Sequence, residues 1–220
     1  GIIVGIMVKK EPMISGSGIP QLEGILGKKI KINWLKVLFY KFFGGILSLS
    51  AGLSVGREGP SVQMGGAVGE GFSKVFKRIN IEEKFLITSG ASAGLSAAFN
   101  APLSGVIFAL EEVHKNFSPL VLLSAMASSL AADFVCKQFL GLEPAMSFKN
   151  VDVFPLKYYW LLLIMGVFVG ISGMIFNKGL LKSQDIYGKL KKVPVEIKVA
   201  IPFLCAAVVG IMSPILLGGG

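Results

Sequence analysis

The stretch Gly56-Arg57-Glu58-Gly59-Pro60 places two charged residues inside an otherwise apolar run, and the rest of the chain is best interpreted from it. A charged side chain at the depth of a bilayer costs several kcal/mol, roughly 2.5 to 3.5 on insertion scales, so it usually marks a functional site. The glycines interrupt the regular backbone. Pro60 is tolerated in the first turn of a helix, where its missing N–H would have no partner. The motif therefore predicts a helix that begins inside a membrane.

The start of such a helix presents unpaired N–H groups and the positive end of the helix dipole to whatever precedes it. This arrangement favours an anion, as in phosphate sites and in transporters with discontinuous helices. Glu58 then holds a tethered carboxylate beside a site for a free anion, and competition between the two would couple anion movement to protonation of Glu58. The alternative interpretation is a surface loop with an ordinary Arg-Glu pair.

Composition indicates a multi-pass integral membrane protein. Of the 220 residues, 53% are hydrophobic, only 16% are charged and 28 are glycine, which suits closely packed transmembrane helices. The formal net charge of +9 could suggest a nucleic-acid partner, but the basic residues lie between apolar runs, as at 28–31, 77–78 and 182–198. This is typical of cytoplasmic flanks of membrane spans, so we expect no nucleic-acid partner. We also expect no metal and no cofactor.

A second break, Gly16-Ser17-Gly18-Ile19-Pro20, again places glycines before a proline at a helix start. Ser17 can donate a hydrogen bond to an anion without adding charge, or it can be an ordinary N-cap in a turn. Lys41 lies within a long apolar segment and needs a partner. The nearest acidic residue in sequence is Glu23, so we predict a structural ion pair between them rather than a role in transport.

The apolar runs predict membrane helices, with Gly65 and Gly69 spaced for close packing. The predicted segments are 34–55, 59–76, 82–99, 118–140, 155–181 and 199–217.

Two further patterns leave alternatives open. Gly90-x-Ser92-x-Gly94 matches the nucleophile motif of serine hydrolases, but the only histidine that could act as a base is His114, and helix packing is the favoured explanation. Glu111-Glu112 follows directly on an apolar run, with its end predicted to face the cytoplasm. One of these carboxylates can be a proton relay, or both can belong to a solvated helix end.

Three stretches together resemble the CLC family of chloride channels and proton/chloride exchangers: the two glycine-proline motifs, and residues 90–112 with their Ala98-Phe99-Asn100-Ala101-Pro102-Leu103 core. The resemblance implies an all-α integral membrane protein, an inverted-repeat bundle of broken, tilted helices that is incomplete here. Residues 1–150 correspond to most of the first repeat and residues 151–220 to the first two helices of the second. The chain is then expected to be a fragment with half of a chloride site.

The resemblance implies that the protein is not an enzyme but a proton-coupled chloride antiporter with a glutamate gate. Glu58 matches the gating and proton-transferring glutamate, Glu112 matches the internal proton-transferring glutamate of exchangers, and Ser17 matches the serine that favours chloride. The implied anion-binding residues are Gly16, Ser17, Gly18, Ile19, Pro20, Gly56, Arg57, Gly59 and Pro60.

The implied partners are chloride, protons, the lipid bilayer of the plasma (inner) membrane and, at full length, a second copy in a homodimer. The alternative within the family is a passive channel of the voltage-gated type. More remote alternatives are an intramembrane serine hydrolase and a half-protein that does not transport.

Overall fold

The protein is built from α-helices. A computed structural model describes residues 1–141, 155–190, 192–213 and 217, with only the backbone described for Leu140. Within these ranges there are nine α-helices and no β-strand, which confirms the predicted all-α fold. The helices are α1 (Ile2–Lys10), α2 (Ile19–Leu26), α3 (Trp34–Ser50), α4 (Glu58–Val75), α5 (Asn80–Phe99), α6 (Pro102–Phe108), α7 (Pro119–Leu140), α8 (Trp160–Lys189) and α9 (Val195–Met212).

Both predicted breaks are followed by a helix. Helix α2 begins at Ile19 with Pro20 in its first turn, and α4 begins at Glu58. Helix α3 ends at Ser50, before the predicted limit of the segment, because the chain turns there through Gly52, whose φ of +80° lies in the left-handed region. Helix α8 runs on past the predicted end at position 181 to Lys189.

The chain divides into two compact units. One comprises Gly1–Met146 and Val195–Gly220, and the other comprises Ser147–Pro194. The predicted repeat boundary between positions 150 and 151 lies outside the described residues, so the assignment of the two repeats remains a prediction.

Three helices in the described ranges are long and apolar enough to cross a membrane by length and composition: Pro119–Phe139, Trp160–Lys189 and Val195–Met212. The second of these, α8, belongs to the smaller unit. The third, α9, packs against α1, and Lys9 Nζ lies 2.6 Å from Glu196 Oε1 at that contact.

Helices α4 and α5 form the most extensive contact of the larger unit, and glycines on both helices allow their backbones to approach closely. A Cβ atom on Gly65 would collide with the carbonyl oxygen of Gly90, and one on Gly94 would collide with that of Ser61. Gly69 meets the carbonyl of Leu86 in the same way. The predicted packing role of Gly65 and Gly69 is confirmed, since backbones this close gain dispersion contacts that larger residues would prevent.

Helix α2 covers the seam between α4 and α5. Its Leu22 is completely buried and forms one core cluster with Val62 and Ile87, which also includes Val113 from the segment after α6. This short helix is therefore held by its buried face, and it contacts both regions that carry the predicted site residues.

Candidate functional site

The loop before α2 is held in an unusual conformation by two glycines and one lysine. Gly16 and Gly18 have φ angles of +72° and +102°, a region that residues with a side chain rarely adopt. The Lys41 ammonium, on a side chain that is only 6% exposed, donates hydrogen bonds to the carbonyl oxygens of Ile14 at 2.8 Å and Gly16 at 2.7 Å. Because a trans peptide directs its C=O and N–H oppositely, the N–H of Ser17 points away from Lys41.

The predicted ion pair between Glu23 and Lys41 is wrong for this structure. Lys41 is satisfied by backbone carbonyls, and Glu23 Oε2 lies 2.9 Å from Lys115 Nζ, which is 92 positions further along the chain. Closeness in sequence did not identify the partner of Lys41. The left-handed glycines set the conformation of the loop, and this conformation presents backbone carbonyls to Lys41 in place of a charged partner.

The start of α4 packs directly on this loop. A Cβ atom on Gly59 would lie 2.5 Å from the carbonyl oxygen of Ser17 and 2.9 Å from its Cα. The Glu58 carboxylate folds back against the backbone of Gly56, whose φ is +64°. Glycine at position 59 therefore lets the two broken-helix motifs touch, and glycine at position 56 leaves room for the Glu58 carboxylate.

Gln63 is part of the same junction, although it was not among the residues predicted for the site. Its side chain is completely buried, and Nε2 donates a 2.8 Å hydrogen bond to the carbonyl of Met13. A Cβ atom on Gly18 would lie 2.6 Å from Gln63 Oε1. The one available signal was an amide inside a small-residue helix, a position that usually requires a specific partner.

A cavity of about 550 Å³, hereafter the first cavity, lies between the loop and α4. Its lining includes five of the predicted anion-binding residues, the predicted gate and Lys41. These are Gly16, Ser17, Ile19, Gly59, Pro60, Glu58 and Lys41. The Ser17 hydroxyl oxygen is 3.4 Å from the N–H of Ile19 and accepts its hydrogen, which leaves the hydroxyl hydrogen free to donate elsewhere.

The other four predicted anion-binding residues do not line the first cavity. Gly18 faces Gln63, Gly56 faces Glu58, and Pro20 lies in the first turn of α2. The Arg57 guanidinium carbon is 5.9 Å from the centre of the Phe99 ring, a distance at which a cation is attracted to the ring.

The second predicted region, residues 109–115, is called the acidic segment here. Residues Ala109–His114 form a π-helical turn after α6, which ends where the Lys115 N–H donates to the carbonyl of Leu110 at 2.9 Å. Glu111 and Glu112 are both exposed, and neither lines the first cavity. Turns of this kind occur often at functional sites, and this one widens the helix where the two carboxylates lie.

Side chains hold the acidic segment in place. The Thr88 hydroxyl donates to the carbonyl of Lys84 at 2.8 Å, so its oxygen accepts from His114 Nδ1, 3.0 Å away. Lys115 contacts Glu23 of α2, and this hydrogen bond, with the nearby Glu112 carboxylate, raises the pKa of Lys115. The acidic segment is thus tied to both α5 and α2.

The family model described as voltage gated chloride channel matches residues 1–220, the whole chain. The chain belongs to the CLC family. Two relatives are the H(+)/Cl(-) exchange transporters ClcA of Salmonella typhimurium (strain LT2) and Salmonella typhi, each 38% identical over 96% of this chain. The chain spans about half the length of these CLC relatives, 46% in both cases.

Solved CLC structures share the fold. A slow cyanobacterial Cl⁻/H⁺ antiporter superposes with a TM-score of 0.85 at 36% identity, over 96% of this chain and 50% of the other. A CLC-type fluoride/proton antiporter gives a TM-score of 0.78 at 25% identity, over 97% of this chain and 54% of the other.

The hydrolase alternative has no support in this CLC chain. Ser92 is completely buried, and its Oγ lies 2.6 Å from Ser129 Oγ, whereas His114 is bonded to Thr88. Gly90 and Gly94 are the glycines that contact α4. The Gly-x-Ser-x-Gly pattern is therefore a packing motif, and the relatives are transporters rather than enzymes.

Proposed function

We propose that this chain forms part of a chloride transporter that exchanges chloride for protons across the plasma (inner) membrane, as a homodimer at full length. The observation that carries the proposal is the first cavity, where the Ser17 hydroxyl, the N-terminus of α4 and the Glu58 carboxylate converge. A helix N-terminus and a neutral hydroxyl donor together favour a small anion such as chloride.

In this proposal Glu58 is the gate. Its carboxylate and a chloride ion are both anions drawn to the same helix end, so they compete for it. Protonation removes the charge of Glu58, so chloride can occupy the site at the helix N-terminus. When Glu58 loses that proton, its carboxylate returns to the site. Each cycle of the gate then links one proton to the movement of anion.

Glu112 is proposed to pass protons between the cytoplasm and Glu58. Its exposure supports exchange with solvent, and the name of the Salmonella relatives, H(+)/Cl(-) exchange transporter, supports proton coupling. Lys41 is proposed as a structural cation that orients the loop, because its hydrogen bonds to carbonyls direct the Ser17 N–H away from it.

The test is chloride-driven proton uptake in liposomes that contain the natural polypeptide carrying this sequence. We expect Glu112→Gln to keep chloride flux and to lower proton movement by about 100-fold or more, since a positioned proton-transferring group contributes roughly 10²–10⁴ to a rate. Glu58→Gln should uncouple the two fluxes. The matched control is Glu111→Gln, which removes an equally exposed carboxylate from the same turn.

Chloride flux without proton movement in the unmodified protein would favour the passive channel and remove the assigned role of Glu112. Equal loss of coupling in Glu111→Gln would show that net charge, rather than Glu112 itself, matters. Repeating the assay with fluoride and nitrate, in the unmodified protein and in Ser17→Ala, tests whether Ser17 favours chloride.

A further inference from the structure

A second cavity, of about 500 Å³, lies between the linker that joins α2 to α3, the last turns of α4 and the first turns of α5. No residue of the first cavity lines it. Its charged lining consists of four lysines and two glutamates, which leaves an excess of two positive charges. These residues are Lys28, Lys31, Lys74, Lys84, Glu70 and Glu83.

Only one of these lysines is neutralised by a direct contact. Lys74 Nζ lies 2.5 Å from Glu70 Oε1, and Glu70 is only 3% exposed. Within the described part of the chain, Lys28, Lys31 and Lys84 form no ion pair. Three cationic groups, two from the linker between α2 and α3 and one from α5, thus line one opening without a protein counter-charge in contact.

The walls between these charges are mostly apolar. The rest of the lining is Ile25, Ile30, Ile32 and Ile87 with one uncharged polar residue, Asn80, and Ile32 and Ile87 are buried. A small hydrated anion makes no use of such walls, whereas a phospholipid places a charged phosphate directly beside hydrocarbon. Basic pockets between membrane helices on the cytoplasmic side are suited to anionic lipid headgroups.

The position along the chain agrees with this ligand. Residues 28–31 and 77–78 are basic stretches that connect apolar helices, and such stretches lie at the cytoplasmic surface, where anionic lipids attract them. We propose that the second cavity binds the phosphate group of an anionic phospholipid, with Lys28, Lys31 and Lys84 contacting the phosphate and the isoleucines contacting the start of the acyl chains.

The chain supplies a closely matched control. Lys29 lies between Lys28 and Lys31 but does not line the cavity, and Lys77 has a left-handed backbone like that of Lys28, with φ angles of +50° and +55°. The test variant is Lys28→Gln/Lys31→Gln and the control is Lys29→Gln/Lys77→Gln. Both lose two positive charges and both change one left-handed residue.

The experiment measures lipid retention by native mass spectrometry and the thermal midpoint, using the natural polypeptide in neutral detergent. Phosphatidylglycerol, phosphatidylcholine with the same acyl chains, and inorganic phosphate are added separately. We expect phosphatidylglycerol to be retained and to raise the midpoint, and we expect the test variant to bind it about 10- to 30-fold more weakly while the control changes little.

A midpoint shift with inorganic phosphate equal to that with phosphatidylglycerol, lost in the test variant, would keep the phosphate site but overturn a lipid as its source. Equal weakening in the two variants would overturn the site, because net charge alone would then explain binding. Equal retention of phosphatidylcholine and phosphatidylglycerol would overturn it as well. Chloride transport is measured separately, so failure of this proposal leaves the proposed function untouched.

Discussion

The first cavity and the acidic segment are held by different forces. Around the first cavity the contacts are made to backbone atoms. Gly59 packs against the backbone of Ser17, and the buried Lys41 donates hydrogen bonds to the loop carbonyls. The acidic segment is held by side chains, through the Thr88–His114 contact and the Glu23–Lys115 pair. A close backbone contact cannot give way without moving a helix. The exposed Glu23–Lys115 contact can be lost at little cost, and loss of the Thr88–His114 contact removes one partly buried hydrogen bond. Substitutions should therefore be severe in the first region and mild in the second.

The largest effect is expected for Gly59→Ala. The added methyl group would meet the Ser17 backbone at 2.5 Å, and neither backbone can move away without displacing a helix. We expect a loss of about 3 kcal/mol or more in stability, as for severe overpacking, together with loss of chloride flux. Thermal unfolding in detergent and liposome flux measure the two effects.

Gly45→Ala is the matched control, because Gly45 also lines the first cavity but a Cβ atom there meets nothing within 4 Å. It should be neutral or slightly stabilising, since alanine favours a helix over glycine. If Gly59→Ala and Gly45→Ala have the same stability and chloride flux, the backbone around Gly59 can move to accept a methyl group, and the contrast between the two regions fails.

The next effect is expected for Lys41→Met, which keeps the length of the side chain and removes its charge. The carbonyls of Ile14 and Gly16 then lose their donor, at a cost of about 2–4 kcal/mol for one buried and one partly buried hydrogen bond to a charged donor. Thermal unfolding measures the loss, with Lys36→Met on the exposed face of α3 as the control. A change of similar size in the control would mean that the loop does not depend on Lys41.

A smaller effect is expected in the acidic segment for Thr88→Val. This change removes the contacts with the Lys84 carbonyl and with His114 Nδ1, and should cost about 1–2 kcal/mol. Thr88→Ser retains the hydroxyl and should remain close to the unmodified protein. Equal losses in the two variants would mean that packing of the methyl group contributes as much as the hydrogen bonds, and little or no loss in Thr88→Val would rule out the hydrogen bonds as the anchor.

The smallest effect is expected for the exposed pair of Glu23 and Lys115, measured as a double-mutant cycle with Glu23→Gln and Lys115→Gln. Exposed ion pairs contribute little, and salt screens them further. The pKa of Lys115 is raised in the folded protein, so the contribution of the pair is complete at neutral pH and is lost as the pH rises through that raised value. A large coupling energy that persists at high salt would contradict the expected contrast between the first cavity and the acidic segment.

The sequence was informative wherever the local backbone decides the structure. Glycines followed by a proline fixed the starts of α2 and α4, and the spacing of Gly65 and Gly69 indicated the close packing with α5. The true partners of Lys41 and Glu23 could not be predicted, because they are brought together by tertiary packing across up to 92 positions. The π-helical turn at the acidic segment also leaves no clear mark in the sequence.

Helix α2 has one further consequence. Its start continues the Ser17 loop, and Glu23 follows Ile19 by four residues, so about 6 Å of helix, at 1.5 Å per residue, connects the first cavity to the acidic segment. Each residue of a helix also turns the chain by about 100°. Inserting or deleting one residue at the start of α2 would rotate Glu23 away from Lys115 and Leu22 out of the core at the same time. The length of this helix therefore sets both the spacing and the angle between the two regions.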